Sequence, residues 1–446
     1  MGNFDKFNEL RERHPRFIYH DFELNEERSE LRFHFQIDEF HFRPVWSFNF
    51  KLADRDFDRR RAEEIAFSLG MAELVSYWKC ACCPTVEVRC GGLSDWRKNW
   101  WKKLYFNGLG EFFYRNGIGT DFSSFMTIEA PEACELPKSK PSLSGALVPV
   151  GGGKDSVVTL ELLKKAGEDV TPYIINAGKA ALGCVEAAGL PLERVAGPTR
   201  VIDSGLLERN KAGWLNGHTP FSAVVAFSAM LHACFLGKRY IVLSNESSAN
   251  ETYVDGAMIN HQYSKSTEFE RDFREYCAEA FGECPEYFSL LRPLSEWQIA
   301  REFVKYPQYF PVFQSCNLGA KTNVWCCSCA KCLYVYILLA AFLDDGELTK
   351  IFGCDMLEKT ELAEMLDGLT LDGEDKPFEC VGTKDEVRLA LKMALDRRRE
   401  KPPALLRRFE KRFPDYRPVD LTKYFDGDNF VPERFLPYLE RIINEI

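Results

Sequence analysis

No apolar stretch in this chain is long enough to cross a bilayer. The longest, CLYVYILLAAFL at 332–343, falls well short of the ~20 residues a spanning helix needs. The opening residues, MGNFDKFNELRERHPRF, carry charge where a secretory leader would carry an apolar core. The expectation is a cytoplasmic protein without a membrane partner. A basic excess is missing too: 57 Lys and Arg stand against 67 Asp and Glu, a net of −10. Nucleic-acid affinity comes largely from neutralising phosphate with cations, so an acidic balance argues against a DNA or tRNA partner. The densest basic run, RRREKPPALLRRFEKR at 397–412, reads as a solvated helix face broken at Pro402 and Pro403. No period of 20–50 residues recurs, which excludes solenoids and propellers.

What is present is ordinary for a folded enzyme: 446 residues, 46% hydrophobic and 28% charged, enough for two or three domains. Without a leader, the 16 cysteines read as reduced thiols or metal ligands rather than disulfides. The first 140 residues have their own texture. Segments 16–24, 30–38 and 40–50 alternate aromatic and polar residues (RFIYHDFEL, ELRFHFQID, FHFRPVWSFNF), as half-buried antiparallel strands do. A helical stretch follows at 59–77, then an aromatic-rich segment at 95–115 whose rings read as packing seams. The Pro-rich stretch PEACELPKSKP at 131–141 reads as a linker.

From residue 144 strand and helix signals alternate. LSGALVPV, VTPYIINAG, an extended element within 192–203 and KRYIVLS at 238–244 are the strands. SVVTLELLKKAG and the apolar run 221–236, closed by Gly237, are the helices. This pattern predicts a parallel, doubly wound α/β sheet. Beyond 345 the pattern is mostly helical. The expected division is an N-terminal α+β domain at 1–140, an α/β domain at 141–345 and a helical region at 346–446.

Between the first of those strands and its helix lies VPVGGGKDS, 148–156. Gly151, Gly152 and Gly153 let the backbone approach an anion closely, and the free N–H groups of the following helix favour negative charge. Lys154 and the Ser156 hydroxyl add donors. Asp155 beside a phosphate makes sense if a magnesium ion bridges it to a nucleotide. The spacing fits neither a Walker A loop nor a dinucleotide fingerprint. Four polar segments are placed at strand ends or in adjoining loops around the same crevice: NAGK at 176–179, NGHTP at 216–220, SNESSANE at 244–251 and NHQYSKS at 260–266. They offer Asn176, Asn216, Ser244, Asn245, Glu246, Asn250, Gln262 and Ser264 for binding an oxygenated or charged ligand. His218 and His261, able to titrate near neutrality, and Lys265 are candidates for proton transfer. Each histidine reads equally as a hydrogen-bonded rim residue, and His232, in the apolar helix, reads as core.

Cys316, Cys326, Cys329 and Cys332 are spaced C-x9-C-x2-C-x2-C, a tetrahedral zinc pattern whose four thiolates would leave no open position, hence a structural role. Cys327 adjoins Cys326, and the spacing leaves open which of the two ligates. Cys80, Cys82, Cys83 and Cys90 are less regular and are assigned no metal.

The loop GGGKDS resembles the PP-loop of N-type ATP pyrophosphatases, S-G-G-x-D-S, with Gly151 in place of its serine. That resemblance implies an adenine nucleotide alpha hydrolase-like fold, with ATP and Mg2+ as cofactors and cleavage to AMP and diphosphate. The cysteine pattern resembles the zinc knuckle of PP-loop enzymes that make a deazaguanine precursor. Across roughly 60–340, MAELVSYWKCACCPTVEVRC, WWKKLYFNGLGEFFYRNGI, GGGKDS, NGHTP, VLSNESSANE and NHQYSKS together resemble the MurL family of peptidoglycan-precursor epimerases. This resemblance implies inversion of the terminal L-Glu of a UDP-linked muramoyl dipeptide through an acyl-adenylate. A tRNA thiolase or deazaguanine-type synthase is the alternative. Oligomeric state is not legible.

Overall fold

The computed structural model describes residues 3–133, 142–251 and 260–445. The linker expected at 131–141 lies, from 134 onward, outside the described residues. The first six strands are β1 (Arg16–Asn25), β2 (Glu30–Ile37), β3 (Phe40–Phe42), β4 (Val45–Ser47), β5 (Thr85–Val88) and β6 (Thr127–Glu129). They are followed by β7 (Ala146–Pro149), β8 (Val170–Tyr173), β9 (Thr199–Val201), β10 (Tyr240–Leu243) and β11 (Glu286–Ser289).

These strands form two sheets. The larger runs β6-β5-β1-β2-β4-β9, with β3 also on β2. The aromatic alternation works as expected in β2, where Leu31, Phe33, Phe35 and Ile37 are buried and the residues between them face outward. The antiparallel expectation holds for β1 with β2 and for β2 with β3 and β4. Two strands that the sequence reading did not single out extend the sheet in parallel, β5 on β1 and β6 on β5. The extended element within 192–203 is the larger departure. Its strand, β9, pairs antiparallel with β4 in the larger sheet, while Ala196 just before it keeps a parallel bridge to Tyr173 of β8. Arg200 helps hold β9 there: its guanidinium clamps both oxygens of the fully buried Glu73 at 2.5 and 2.6 Å.

The smaller sheet is wholly parallel, in the order β11-β10-β7-β8. From β7 the chain winds first to one side and then to the other, so the strand order reverses between β7 and β10, where ligands bind in such sheets. The protein is α/β, as the sequence predicts. Alternate side chains of this sheet feed two different cores. Leu147, Ile241, Leu243 and Tyr287 face the N-terminal sheet and the helices Arg59–Trp78 and Phe221–Phe235. Ala146, Val148, Val242 and Phe288 face Lys154–Lys165, Glu296–Phe303, Ala330–Ala340 and the later helices.

The apolar run at 332–343 is the buried helix Ala330–Ala340, and no helix among the described residues is long and apolar enough to cross a membrane. The aromatic segment 95–115 forms the helices Asp95–Gly108 and Gly110–Arg115, with Trp100, Trp101, Tyr105, Phe112 and Phe113 in the core. After Ser289 the described residues hold helices and no strand.

His232 is core, as expected. It is fully buried among Phe48, Phe50, Tyr173 and Phe235, with Nδ1 on the Ser228 carbonyl at 2.7 Å. Burial pushes its pKa down to about 4, so between that value and the unfolded ~6.5 the unfolded chain holds the extra proton. Its contribution is therefore complete above pH ~6.5 and fades on acidification toward 4, by up to about 3 kcal/mol. Denaturant titrations across that window are expected to show the loss, with a shallower slope in His232→Leu.

Candidate active site

The loop after β7 sits where the sheet reverses. Gly152 has φ +85°, and a Cβ there would lie 2.7 Å from the backbone nitrogen of Ala181, so the residue must be glycine. Gly151 has open space where its side chain would be. The serine of the family pattern would therefore fit. The helix Lys154–Lys165 starts at Gly153 without a side-chain cap, and so does Lys179–Ala187 at Gly178. Both N-termini border one cavity of about 500 Å³, lined also by Asp155, Ser156, Asn176, Ser244, Asn245, Glu246 and Lys265. Two sets of free N–H groups and two helix dipoles aimed at one space favour an anion there. The Ser244 hydroxyl, on the same wall, is buried and has no protein partner, as a group reserved for a ligand would be.

Lys154 is not on that wall. It lies buried beneath the loop, its ammonium on Asp155 and Glu296. Burial works against its charge, but the two carboxylates outweigh it and hold the lysine protonated. Glu296 is pushed upward by its own burial and by the neighbouring Asp155, Glu246 and Glu386 carboxylates, against the pull of Lys154. Asp155 and Glu246 both face the cavity, and burial together with Asp155 raises Glu246 as well. Hard oxygen donors in this arrangement suit a magnesium ion, which would relieve the repulsion between them. Asn176, at φ +49°, spends its side chain on the backbone of Arg200.

The remaining expected residues divide. Asn250 ties its loop to Thr267 through its side-chain amide. Asn216 is exposed and caps its own turn, and Gln262 and Ser264 are buried. His218 and His261 do come together, ring centroids 4.6 Å apart, over a carboxylate that the sequence did not single out. Glu111 Oε2 is 2.5 Å from His261 Nδ1 and 3.3 Å from His218 Nδ1, while Oε1 meets Arg115. Burial and the neighbouring His261 charge push His218 down to about 4. Burial also opposes the charge on His261, but Cys380 and Glu111 outweigh it and lift the ring to about 9. At pH 7 the pair is one neutral imidazole and one imidazolium. Lys265 donates to Gln262 at 3.2 Å and to the Cys380 sulfur at 3.1 Å.

Two more residues escaped the sequence reading. Cys380 arrives from the C-terminal helical region. Arg292, fully buried, donates to the carbonyls of Glu246 and Lys265 and pairs with Glu270 at 3.2 Å. Neither lies in a motif, and a lone arginine in SLLRPLSEW carries no local mark of what it holds.

The sulfur atoms of Cys316, Cys326, Cys329 and Cys332 all lie within 4.8 Å of one another, with Cys326 and Cys332 at 3.6 Å. A zinc tetrathiolate has sulfur–sulfur edges of about 3.8 Å, from Zn–S bonds of ~2.3 Å, so the set fits one. Cys327 turns away to the Phe352 carbonyl at 3.2 Å. Hydrogen bonds from Cys332 and its neighbours hold Cys329 down at about 5, ready to act as a thiolate ligand. The knuckle abuts the phosphate loop: Gln314 N–H donates to the Gly152 carbonyl at 2.8 Å, and residues 314–317 line the cavity.

Comparison with known proteins identifies the family. Residues 8–290 match the profile of the MurL N-terminal domain, and 312–423 that of the MurL C-terminal domain. Three relatives bear the name UDP-N-acetyl-alpha-D-muramoyl-L-alanyl-L-glutamate epimerase. That of Xanthomonas oryzae pv. oryzae is 36% identical over 374 residues, 80% of this chain and 81% of the relative. That of Salinispora tropica is 38% identical over 65% of this chain and 64% of the relative, and that of a Micromonospora species 37% over 72% of each. No solved structure matches.

Two outcomes are expected. Gly152→Ala should lose at least about 1 kcal/mol of stability together with nucleotide binding, since alanine at positive φ is strained, whereas Gly151→Ser should melt like wild type and bind ATP at least as tightly. Calorimetry on both variants checks this. Metal analysis of the purified protein should return about one zinc per chain, lost in Cys329→Ser and retained in Cys327→Ser.

Proposed function

The chain belongs to the MurL family, and on that premise we propose that it inverts the terminal L-Glu of UDP-N-acetylmuramoyl-L-Ala-L-Glu to D-Glu. The glutamate α-carboxylate is first adenylated by ATP, with release of diphosphate, and AMP leaves when the mixed anhydride is hydrolysed. The observation that carries this reading is one anion-binding cavity with a pair of titrating histidines close behind its Lys265 wall.

The chemistry needs both. A free carboxylate resists losing its own α-proton, because the enolate would carry two negative charges. Adenylation removes one of them. The glycine loop and the two uncapped helix ends are suited to hold the triphosphate, and Ser244 adds a hydroxyl donor, whereas Ser156 spends its hydroxyl proton on the Gly153 carbonyl at 2.9 Å. Asp155 and Glu246 would hold Mg2+, which when bound supplies positive charge to the phosphates. Neutral His218 can accept a proton and protonated His261 can give one, the separation of roles expected when environments push two pKa values apart. The Lys265 ammonium faces the cavity and can stabilise the enolate oxygen. Zinc on the four cysteines would be structural, stiffening residues 314–317 against the loop. ATP and a UDP-linked precursor as substrates place the work in the cytoplasm.

Incubation with Mg-ATP and the L,L-dipeptide nucleotide is expected to yield diphosphate and D-Glu together. In deuterium oxide, His218→Ala and His261→Ala should each slow deuterium entry at Cα by about 10²–10⁴-fold while diphosphate release persists. Unchanged exchange in both variants would remove the histidines from the mechanism.

A further inference from the structure

Cys380 belongs to the C-terminal region, yet its sulfur sits among residues from two other parts of the chain. Lys265 Nζ donates to it at 3.1 Å. His261 also hydrogen-bonds the sulfur, while its Nδ1 sits 2.5 Å from the Glu111 carboxylate. A cysteine, a histidine and a carboxylate in series is the arrangement by which a base orients and charges a sulfur. Lys265 and Lys331, whose charges bear on the thiol, both line the cavity. Also nearby are Glu379, which accepts from Asn317 at 3.1 Å, His218 behind His261, and Glu246 and Asp155, whose charges bear on Lys265.

Burial alone would raise this thiol, as it raises Cys80 and Cys184 to about 12. At Cys380 the charges of Lys265, Lys331 and His261 outweigh burial and hold the thiol well below its ordinary range. An electropositive setting beside a cleft marks reactive cysteines, while buried structural ones stay inert.

We propose that Cys380 is a proton carrier of the epimerisation, working with His261 and Glu111. The assignment rests on the epimerase reading above. In this assignment the sulfur, in place of His218, takes the α-proton: an S–H bond forms, the Cα–H bond breaks, and its electron pair enters the activated carbonyl as an enolate. Sulfur and imidazole share a hydrogen bond and so lie on one side, so the planar enolate turns its other face to them and protonated His261 gives its N–H proton there. The S–H proton then passes to the imidazole through their hydrogen bond, restoring thiolate and imidazolium. No oxidant or further reactant is consumed.

The test uses the full chain, with Mg-ATP and the L,L-dipeptide nucleotide in deuterium oxide, for wild type, Cys380→Ala and Cys380→Ser. Cys380→Ala is expected to release diphosphate within about threefold of wild type and to lose Cα deuterium exchange by about 10²-fold or more. The thiolate absorbance difference between wild type and Cys380→Ala should titrate below the ordinary thiol range and shift upward in His261→Gln. Exchange within a few-fold of wild type in both Cys380 variants overturns the proposal and leaves the epimerase reading standing. So does loss of diphosphate release in both variants, or an acyl group trapped on Cys380 in the intact mass. A wild-type enzyme giving neither diphosphate nor exchange overturns the epimerase reading and this proposal together.

Discussion

The buried Arg292 guanidinium fixes the two loops on which the site depends. One nitrogen reaches the Glu246 carbonyl at 2.5 Å, the other the carbonyl of Lys265 and the carboxylate of Glu270. Glu270 in turn accepts from Ser289 N–H at 2.8 Å at the end of β11. Loop, loop and strand end are thus tied to one cation with no exposure to water. Removing one partner of such a buried pair costs about 3–5 kcal/mol, because the other is left charged and dry. Glu246 and Lys265 face the cavity because their backbones are held in this way.

A second buried ion group works beneath the phosphate loop. Lys154 bridges Asp155 and Glu296, and Glu296 N–H donates to Glu386 at 2.7 Å. Glu386 closes the capping box of helix Lys384–Arg397. The C-terminal region is therefore wired to the loop by charge, and its segment before that helix delivers Cys380 beside His261. The helical C-terminal region thus supplies a side chain that touches both Lys265 and His261.

How much of this was legible follows from how local each signal is. The glycine loop, its flanking strand and helix, and the cysteine spacing are contiguous, and each was read from neighbours within about ten residues. His218 and His261 could be picked out as titratable groups in polar loops. Glu111, Cys380 and Arg292 could not. Each is one residue in an unremarkable segment, and its role exists only where three distant parts of the chain meet. The same holds for β9, whose three residues say nothing about a partner at Val45–Ser47. Cys326 and Cys327 were indistinguishable by spacing, and only the turn at Cys327, with φ +51°, separates them.

The sharing of elements across the chain also orders its birth. When β4 leaves the ribosome, its partner edge β9 lies more than 150 residues downstream in the message, and helix Arg59–Trp78 waits for Phe221–Phe235 to cover it. At the ~5–20 residues per second of synthesis, the roughly 100 residues between β6 and the end of that second helix take about 5–20 s to make. Through that interval a bare strand edge and an apolar helix face are open to other chains, the two surfaces through which nascent proteins aggregate. Chaperone capture of the nascent N-terminal half is the natural remedy, and brisk translation of residues 130–235 would shorten the need for it.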